Sequence, residues 1–287
     1  MYKSKPYKTT IMKTVEQQTL TSFIEPALEH VKDERLKQAI LNALSNREAS
    51  LQTIEQVFEK IGASDWTDTS FKLIFNAWKE THLKMLAIYG LSCRMQRMAL
   101  ETQGLTADQK TSLLLAGAKN AETSYEDLGL DYNGETHTTL YHNLAESFVS
   151  DDSWMLSAYS IPEARAFKTH VYRNMVVAPD IQTGLFTNMF SEIYNHAEYS
   201  IAITAFNRLI DTHYSFTPEE KERATTYIFA HIEDETELNH FTVVIDSLEY
   251  YTKATNTSIN YELAQETFEN YLSKLADVFA ALDEKIM

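Results

Sequence analysis

The strongest helical pattern in the chain occupies residues 217–253, TPEEKERATTYIFAHIEDETELNHFTVVIDSLEYYTK. Thr217 can cap a helix with its hydroxyl, and Pro218 suits the first helical position because no backbone N–H is needed there. The two glutamates that follow are stabilised by the positive end of the helix dipole. These features predict one helix over the whole range, and a helix of this length favours an all-α fold.

The segments on both sides of this range carry similar helical patterns. Their apolar residues recur at helical spacing, and breaks fall at glycine, proline or polar turn residues. Further helices are predicted at about 15–62 with a break at Pro26, 70–102, 107–127, 137–149, 152–175, 185–213 and 259–285. Only 7 glycines and 5 prolines occur in 287 residues, too few for the turns of a β-rich fold or a dinucleotide-binding loop. The sequence therefore predicts an all-α protein.

The domain organisation follows from the absence of any linker, repeat or low-complexity run between the predicted helices. Residues 1–13 are predicted to be weakly ordered, and Gly62 ends the first group of helical segments. We predict an N-terminal helical extension at residues 1–62 and a helical domain at residues 63–287, packed as a single unit.

Charge and cysteine content exclude several classes of function. The 25 basic and 41 acidic residues give a net charge of −16, which repels nucleic-acid backbones, and no basic stripe counters it. The single cysteine, Cys93, excludes an internal disulfide, and its apolar surroundings predict a buried, inert thiol. No apolar run approaches membrane-spanning length and no secretory signal is visible, so we expect a cytoplasmic protein without a membrane partner. The expected partner is a small-molecule substrate, and a homodimer is left open.

Residues 231–240, HIEDETELNH, are the best candidates for chemistry. Apolar residues flank this segment, and burying its acids and histidines is costly unless they bind a metal or one another. At about 100° per residue, His231 and Glu235 lie about 40° apart and can share an ion. His240 points about 180° away from His231 in a regular helix, together with Glu237, so it needs a π-bulge or an unwound turn to join them. A solvated helix face is the alternative explanation of this charge run.

Two neighbouring segments carry a resemblance to a known family. The run NAETSYEDLG at residues 120–129, followed by His137-Thr138-Thr139-Leu140, resembles the second core helix of the heme-oxygenase-like diiron oxidases and oxygenases. That family shares its fold with the TENA thiaminases. The resemblance covers about residues 70–250 and implies a multi-helix heme-oxygenase-like (TENA-like) bundle.

The family pattern implies a set of metal ligands in this chain. It has a glutamate near the end of one helix, a histidine that opens the next segment, a later glutamate, and a His-x-x-x-Asp-x-x-His motif. Glu198, 33 residues before His231, fits the later glutamate, and Glu192 at 39 residues is the second choice. By resemblance, the ligands are Glu126, His137, Glu198, His231, Glu235 and His240.

The end of the motif departs from the family pattern. Leu238 occupies the place of the closing histidine, and His240 stands two residues later. Asp234 or Glu237 is therefore an alternative to Glu235 as the carboxylate ligand.

The implied ligands determine the expected chemistry. Imidazole and carboxylate groups with open positions suit non-haem iron, which can bind dioxygen. By resemblance, the protein is a diiron oxidase or oxygenase that uses two Fe(II) ions and dioxygen as co-substrate on a small amine, amino-acid-like or fatty-acid-like substrate. The alternatives are a metal-free TENA-like hydrolase, which would need Cys93 as its nucleophile, and a non-catalytic acidic helical binding protein. Candidate supporting groups around the metal are Tyr125, Tyr194, Tyr199 and Asn195.

Overall fold

The computed structural model describes residues 18–82, 84–129, 134–149 and 151–286. Within these ranges the protein is all-α without a strand, which confirms the predicted fold class, and none of the helices there is both long and apolar enough to span a bilayer. Its α-helices are α1 (Leu20–Ala27), α2 (Glu34–Asn46), α3 (Glu48–Ala63), α4 (Asp68–His82), α5 (Met85–Glu101), α6 (Ala107–Glu122), α7 (His137–Glu146), α8 (Pro162–Tyr172), α9 (Ile181–His213), α10 (Pro218–Ala230), α11 (Thr236–Thr255) and α12 (Tyr261–Ile286). The predicted weakly ordered residues 1–13 and the side chains of Glu126 and Asp234 lie outside the described part of the chain.

Helix α9 forms the centre of the fold and is buried on nearly all sides over its first half. Helices α1, α3, α5, α10, α11 and α12 pack against it. Close packing requires Gly184, because a Cβ atom there would lie 2.7 Å from Leu91 Cδ1 and 3.1 Å from Met175 Cα. Polar side chains in the first half of α9 therefore lie in the protein interior, where Glu192 and Glu198 are both almost fully buried.

The N-terminal helices pack onto the rest of the bundle. Helices α2 and α3 contact α12, and α1 and α3 contact α9. The ring centroid of Phe58 in α3 lies 5.9 Å from that of Trp78 in α4 and 5.4 Å from that of Phe279 in α12. Aromatic contacts therefore join the predicted extension to the other helices, while the boundary at residue 62 stays a prediction.

The prediction of one continuous helix at residues 70–102 is wrong, because the structure has two helices, α4 and α5. Lys84 lies between them with φ −105° and ψ −7°, and its N–H donates to the carbonyl of His82 at 2.7 Å. This short-range bond does not belong to an α-helix. The break directs the Lys84 ammonium toward α9, where it contacts the buried carboxylate of Glu192.

The prediction of one continuous helix over residues 217–253 is also wrong. Helices α10 and α11 are separated by a segment that contains a 3-10 turn at Glu233–Glu235. Glu235 adopts a left-handed backbone conformation with φ 59°, which interrupts the helical path. The chain is therefore unwound between His231 and His240, where the sequence predicted a continuous helix.

Two further boundaries differ from their predicted positions. Pro162 does not lie inside a helix but opens α8, because its missing N–H and fixed φ suit the first helical position. The segment before residue 185 is helical from Ile181 onward, because the Asp180 carboxylate accepts from the N–H of Gln182 at 2.9 Å and caps α9.

Candidate metal centre

A cavity beside the middle of α9 collects most of the buried ionisable groups. Residues from α4, α7, α9, α10 and α11 line it, and its empty volume is about 780 Å³, including the part open to solvent. Its carboxyl and imidazole groups belong to Asp127, Glu192, Glu237, His82, His137, His142, His231 and His240. Six of them form two sets of three whose ligand atoms lie within 4.8 Å of one another. We call Asp127, His137 and His231 the first trio, and Glu192, Glu237 and His240 the second trio.

The first trio is assembled from three places where the helical path is interrupted. Asp127 lies in the 3-10 turn that follows α6, His137 is the first residue of α7, and His231 follows the last residue of α10. The Nδ1 atom of His137 lies 2.6 Å from Oδ1 of Asp127. The ring centroids of His137 and His231 are 4.4 Å apart. These side chains can therefore contribute one oxygen and two nitrogens to a single ion.

The orientation of His231 is fixed by the end of α10. Its backbone N–H donates to the carbonyl of Ile228 at 3.3 Å, so the carbonyl of Tyr227 is left to accept from the ring Nδ1–H of His231 at 2.6 Å. The ring of Tyr199 stacks on the imidazole at 4.0 Å between centroids. With Nδ1 donating, Nε2 carries the lone pair, and it lies 3.8 Å from Oε1 of Glu237. Burial, and then the charge of His137, lower the pKa of His231 well below its usual value and keep the ring neutral, as a metal ligand must be.

The second trio is built on two regular helices. Glu192 lies in α9, while Glu237 and His240 are three residues apart in α11 and therefore share one face. The Nδ1 atom of His240 lies 3.7 Å from Oε2 of Glu192 and 4.0 Å from Oε2 of Glu237. The two oxygens of Glu237 thus face different trios, Oε1 toward His231 and Oε2 toward His240.

Lys84 controls the charge of the second trio. Its ammonium donates to Oε1 of Glu192 at 3.0 Å and to Oγ of Ser191 at 2.7 Å. Burial alone would raise the pKa of Glu192, but Lys84, together with His240 and Glu237, outweighs it and lowers that pKa to about 2. Burial, and then the charge of Glu192, raise the pKa of Glu237 well above its usual range, so this carboxyl holds a proton when no cation is near.

Glu237 also supplies a test of whether these residues fit a metal. Its Oε2 atom is buried and has no hydrogen-bond partner in the described part of the chain. A buried, unpartnered carboxyl oxygen costs free energy that a bound cation would recover. The donor set around it contains three imidazoles and three carboxylates, which suits a pair of ferrous ions.

Glu198 lies outside both trios, in a buried layer behind the cavity. Its Oε1 accepts from Nε1 of Trp78 at 2.9 Å, and its Oε2 lies 3.5 Å from Nε2 of His82. Burial raises the pKa of Glu198 to about 8, and burial followed by the charge of Lys84 lowers that of His82 to about 3. The hydroxyl of Tyr199 contacts Nδ1 of His82 at 3.0 Å, so the layer is connected to the ring that stacks on His231. Glu192, the second choice for the later glutamate, is the one that joins the candidate ligands.

The predicted ligands are thus only partly brought together. The structure places His137, His231 and His240 on the cavity, whereas Glu235 is exposed at the left-handed turn. Glu237, named as an alternative carboxylate, takes the place expected for Glu235. The side chain of Glu126 lies outside the described part of the chain.

Sequence reasoning missed several groups that the structure brings to the cavity. Asp127 belongs to the first trio but was not among the predicted ligands, although it is adjacent in sequence to the predicted Glu126. His82 was not among the predicted candidates, because none of the motifs that carry the resemblance includes it, yet its Nε2 lies 3.5 Å from Oε2 of Glu198. Of the predicted supporting groups, Tyr199 and Asn195 line the cavity, Tyr194 is buried and Tyr125 is exposed. Cys93, expected to be buried, is exposed, because it points away from the packed face of α5.

Comparisons with known proteins establish the fold and go no further. No protein-family model and no curated protein match the sequence. Among solved structures, the chain is similar to a TenA homolog from Pseudomonas syringae pv. tomato str. DC3000, with a TM-score of 0.60 and 10% sequence identity. The match covers 87% of this chain and 93% of that one. The protein therefore has a TenA-like helical fold.

Proposed function

We propose that the protein is a non-haem diiron oxidase or oxygenase in which the two trios hold two iron ions. The observation that carries this proposal is Glu237, whose two oxygens face different trios. Glu237 would therefore be a ligand that the two trios share. A helical bundle commonly builds such centres from inward-facing carboxylates and histidines on several helices.

The residues of this chain supply the setting for the reaction. When bound, a pair of ferrous ions would supply the activation of dioxygen. The Nδ1–H of His231 is held by the carbonyl of Tyr227, which keeps Nε2 available as a ligand. Lys84 keeps Glu192 ionised. The aromatic side chains Trp78, Tyr199 and Tyr227 are almost fully buried and exclude water from that side of the cavity.

A metal-free hydrolase is the second candidate, and the TenA-like fold favours it. The predicted nucleophile Cys93 is exposed and does not belong to the described lining of the cavity, so another group would have to attack the substrate. Glu237, which lines the cavity and whose pKa is raised first of all by burial, could serve such an enzyme as a general acid. The third alternative, an acidic face in water, does not suit His231, Glu237 and His240, because all three are buried.

Metal content and oxygen uptake distinguish these candidates. Protein purified without oxygen and supplied with Fe(II) should hold about two irons per chain and consume dioxygen. His142→Ala is a matched control, because His142 lines the cavity and lies near Glu146 and Asp152, but outside both trios. This variant should keep its iron. Protein that binds no iron, or whose iron content falls equally in His142→Ala and His231→Ala, would remove the basis of the proposal.

A further inference from the structure

The cavity also presents polar groups that belong to neither trio. Lys79 comes from α4, and Trp154 comes from the 3-10 turn at Asp152–Met155, which follows α7. The Nζ atom of Lys79 lies 5.4 Å from the ring centroid of Trp154. The carbonyl of Trp154 accepts from Nδ2 of Asn76 at 2.8 Å, so the turn is fastened to α4 beside the lysine.

The two lysines that line the cavity differ in how many of their N–H groups remain available to a ligand. Lys84 donates to Ser191 and Glu192, and it also donates to Asn195 at 3.0 Å when the Asn195 amide is oriented to satisfy both of its neighbours. All three of its N–H groups are therefore used. Among the described residues, Lys79 makes a loose ion pair with Glu80 at 3.6 Å and lies over the ring of Trp154, and its ammonium donates no hydrogen bond. It retains donors for a ligand.

The acid beside Lys79 does not neutralise it fully. Glu80 contacts Lys79 at 3.6 Å through Oε1 and accepts from Nζ of Lys168 at 2.8 Å through Oε2. Two ammonium groups thus share one carboxylate. Lys79 is one of the residues that line the cavity, whereas Lys168 is not among them.

The indole of Trp154 supplies an independent reason to expect an acceptor. The side chain is almost fully buried and lines the cavity, and its Nε1–H has no hydrogen-bond partner among the described residues. A buried donor left in this state costs free energy that a ligand oxygen would recover. Apolar surface for the remainder of a ligand is provided by Met85, Met155 and Tyr141 of the same cavity.

We infer that Lys79 and Trp154 form a binding subsite for the carboxylate end of an organic acid whose apolar body lies in the cavity. An ammonium and an indole N–H are both donors, which match the two oxygens of a carboxylate and repel a protonated amine. The inference rests on the proposed function, because it narrows the substrate of that site to an acid. Of the three substrate types that the family resemblance allows, it excludes simple amines.

The inference is tested with ligands that differ only in their polar end. We would measure dissociation constants of octanoate, octylamine and octanol, and of 4-phenylbutanoate with its amine and alcohol, by calorimetry on metal-free and on zinc-loaded protein. At least one acid should bind about tenfold more tightly than its amine and alcohol, as expected for a charge-assisted bond. Lys79→Met should weaken that acid about tenfold, and Trp154→Phe about threefold. Neither variant should affect the alcohol.

Two controls keep the outcome interpretable. Lys168→Met removes the other partner of Glu80 and should change binding less than about twofold. Lys79→Arg keeps the charge and should retain acid binding, which separates a lost subsite from a misfolded variant. Acids that bind no better than their alcohols, or equal losses in Lys79→Met and Lys168→Met, would overturn the inference. Failure to bind metal would overturn the proposed function instead. The order of the dissociation constants of acid, amine and alcohol in metal-free protein would still show whether Lys79 and Trp154 bind a carboxylate.

Discussion

The first and second trios contain the same kinds of ligand but are positioned by different kinds of backbone. Glu192 and His240 extend from regular turns of α9 and α11, and Glu237 lies in the first turn of α11. In the first trio, Asp127 lies in a 3-10 turn and His231 at the end of α10. Regular helices hold side-chain directions through many backbone bonds, whereas a chain break depends on a few local ones.

Because of this difference, we expect the two trios to differ in how well they retain a metal after mutation. The second trio is preformed, with Lys84 already balancing the charge of Glu192. The first trio depends on single contacts such as the bond from His231 Nδ1–H to the Tyr227 carbonyl. We therefore expect the second trio to retain a metal when the first is damaged, and Glu237 to be needed by both.

The largest expected effect is on iron content, which should fall more when Glu237 is replaced than when a residue of only one trio is replaced. Glu237→Ala should remove nearly all bound iron, whereas His137→Ala should leave about one iron per chain in the second trio. Glu235→Ala should keep the wild-type content, because Glu235 is exposed. Elemental analysis after anaerobic loading measures all three. If Glu235→Ala and Glu237→Ala lost equal amounts of iron, Glu235 would have to be a ligand as well, which would contradict this assignment.

The next effect concerns the charge that holds the second trio in place without metal. Lys84→Met leaves the Glu192 carboxylate buried without its cation, and breaking such a buried pair costs about 3–5 kcal/mol. Zinc or iron should restore more stability to this variant than to the wild type, because the metal replaces the lost cation. Urea unfolding with and without metal measures both quantities.

A surface pair provides the control for that experiment. Lys60 donates to Oδ1 of Asp283 at 2.6 Å but is 41% exposed in its side chain. Lys60→Met should therefore cost less than about 1 kcal/mol and show no extra gain from metal. A cost as large as that of Lys84→Met would show that burial does not distinguish the two pairs.

The buried layer behind the trios should make stability depend on pH. Burial raises the pKa of Glu198 to about 8, so the unfolded chain releases this proton at lower pH than the folded chain does. The wild type should lose stability as the pH rises from about 4.5 to about 8. Glu198→Gln can still accept from Nε1 of Trp78 and has no such proton, so its unfolding free energy should fall less across this window, by about 1–4 kcal/mol.

Comparing two acids isolates that effect. Glu101 is exposed and paired with Arg97, which lowers the pKa of Glu101, so the stability from this pair is present above about pH 4.5 and is lost as the pH falls below it. The stability curve of Glu101→Gln should therefore run parallel to that of the wild type above about pH 4.5, in the window where Glu198→Gln departs from it. Parallel stability curves for the wild type and Glu198→Gln would mean that Glu198 is ionised in the folded protein.

The smallest effect tests the turn that separates α10 from α11. Glu235 adopts φ 59°, a conformation that costs a side chain about 1 kcal/mol and glycine much less. Glu235→Gly should raise the unfolding free energy by about 1 kcal/mol and leave iron content unchanged. Asn256, with φ 53°, is the matched position, and Asn256→Gly should gain less, because asparagine tolerates this conformation. Loss of iron in Glu235→Gly would show that the turn itself carries a ligand.

Sequence patterns predicted the all-α fold because helix caps and apolar periodicity are local properties. The acids close to His231 and His240 in sequence also indicated these two histidines, and the family resemblance added His137. Sequence patterns did not decide between Glu235 and Glu237, because a left-handed residue changes every direction after it, and helical spacing assumes a continuous helix.

The contacts of the two lysines could not be predicted from the sequence, for a different reason. Lys84 and Glu192 are 108 residues apart, and Lys79 and Trp154 come together only when α4 meets the turn after α7. A single sequence carries no signal for these pairs, because each lysine by itself resembles an ordinary surface residue.

The central claim is that two metal ions lie side by side, one in each trio. Crystals of the protein loaded with Fe(II) without oxygen, measured at and below the iron absorption edge, would locate the ions by anomalous scattering. We predict two peaks, one bounded by Asp127, His137 and His231, the other by Glu192 and His240, with Glu237 beside both. A single peak, or peaks beside Glu198 or beside His142 while both trios hold none, would contradict it.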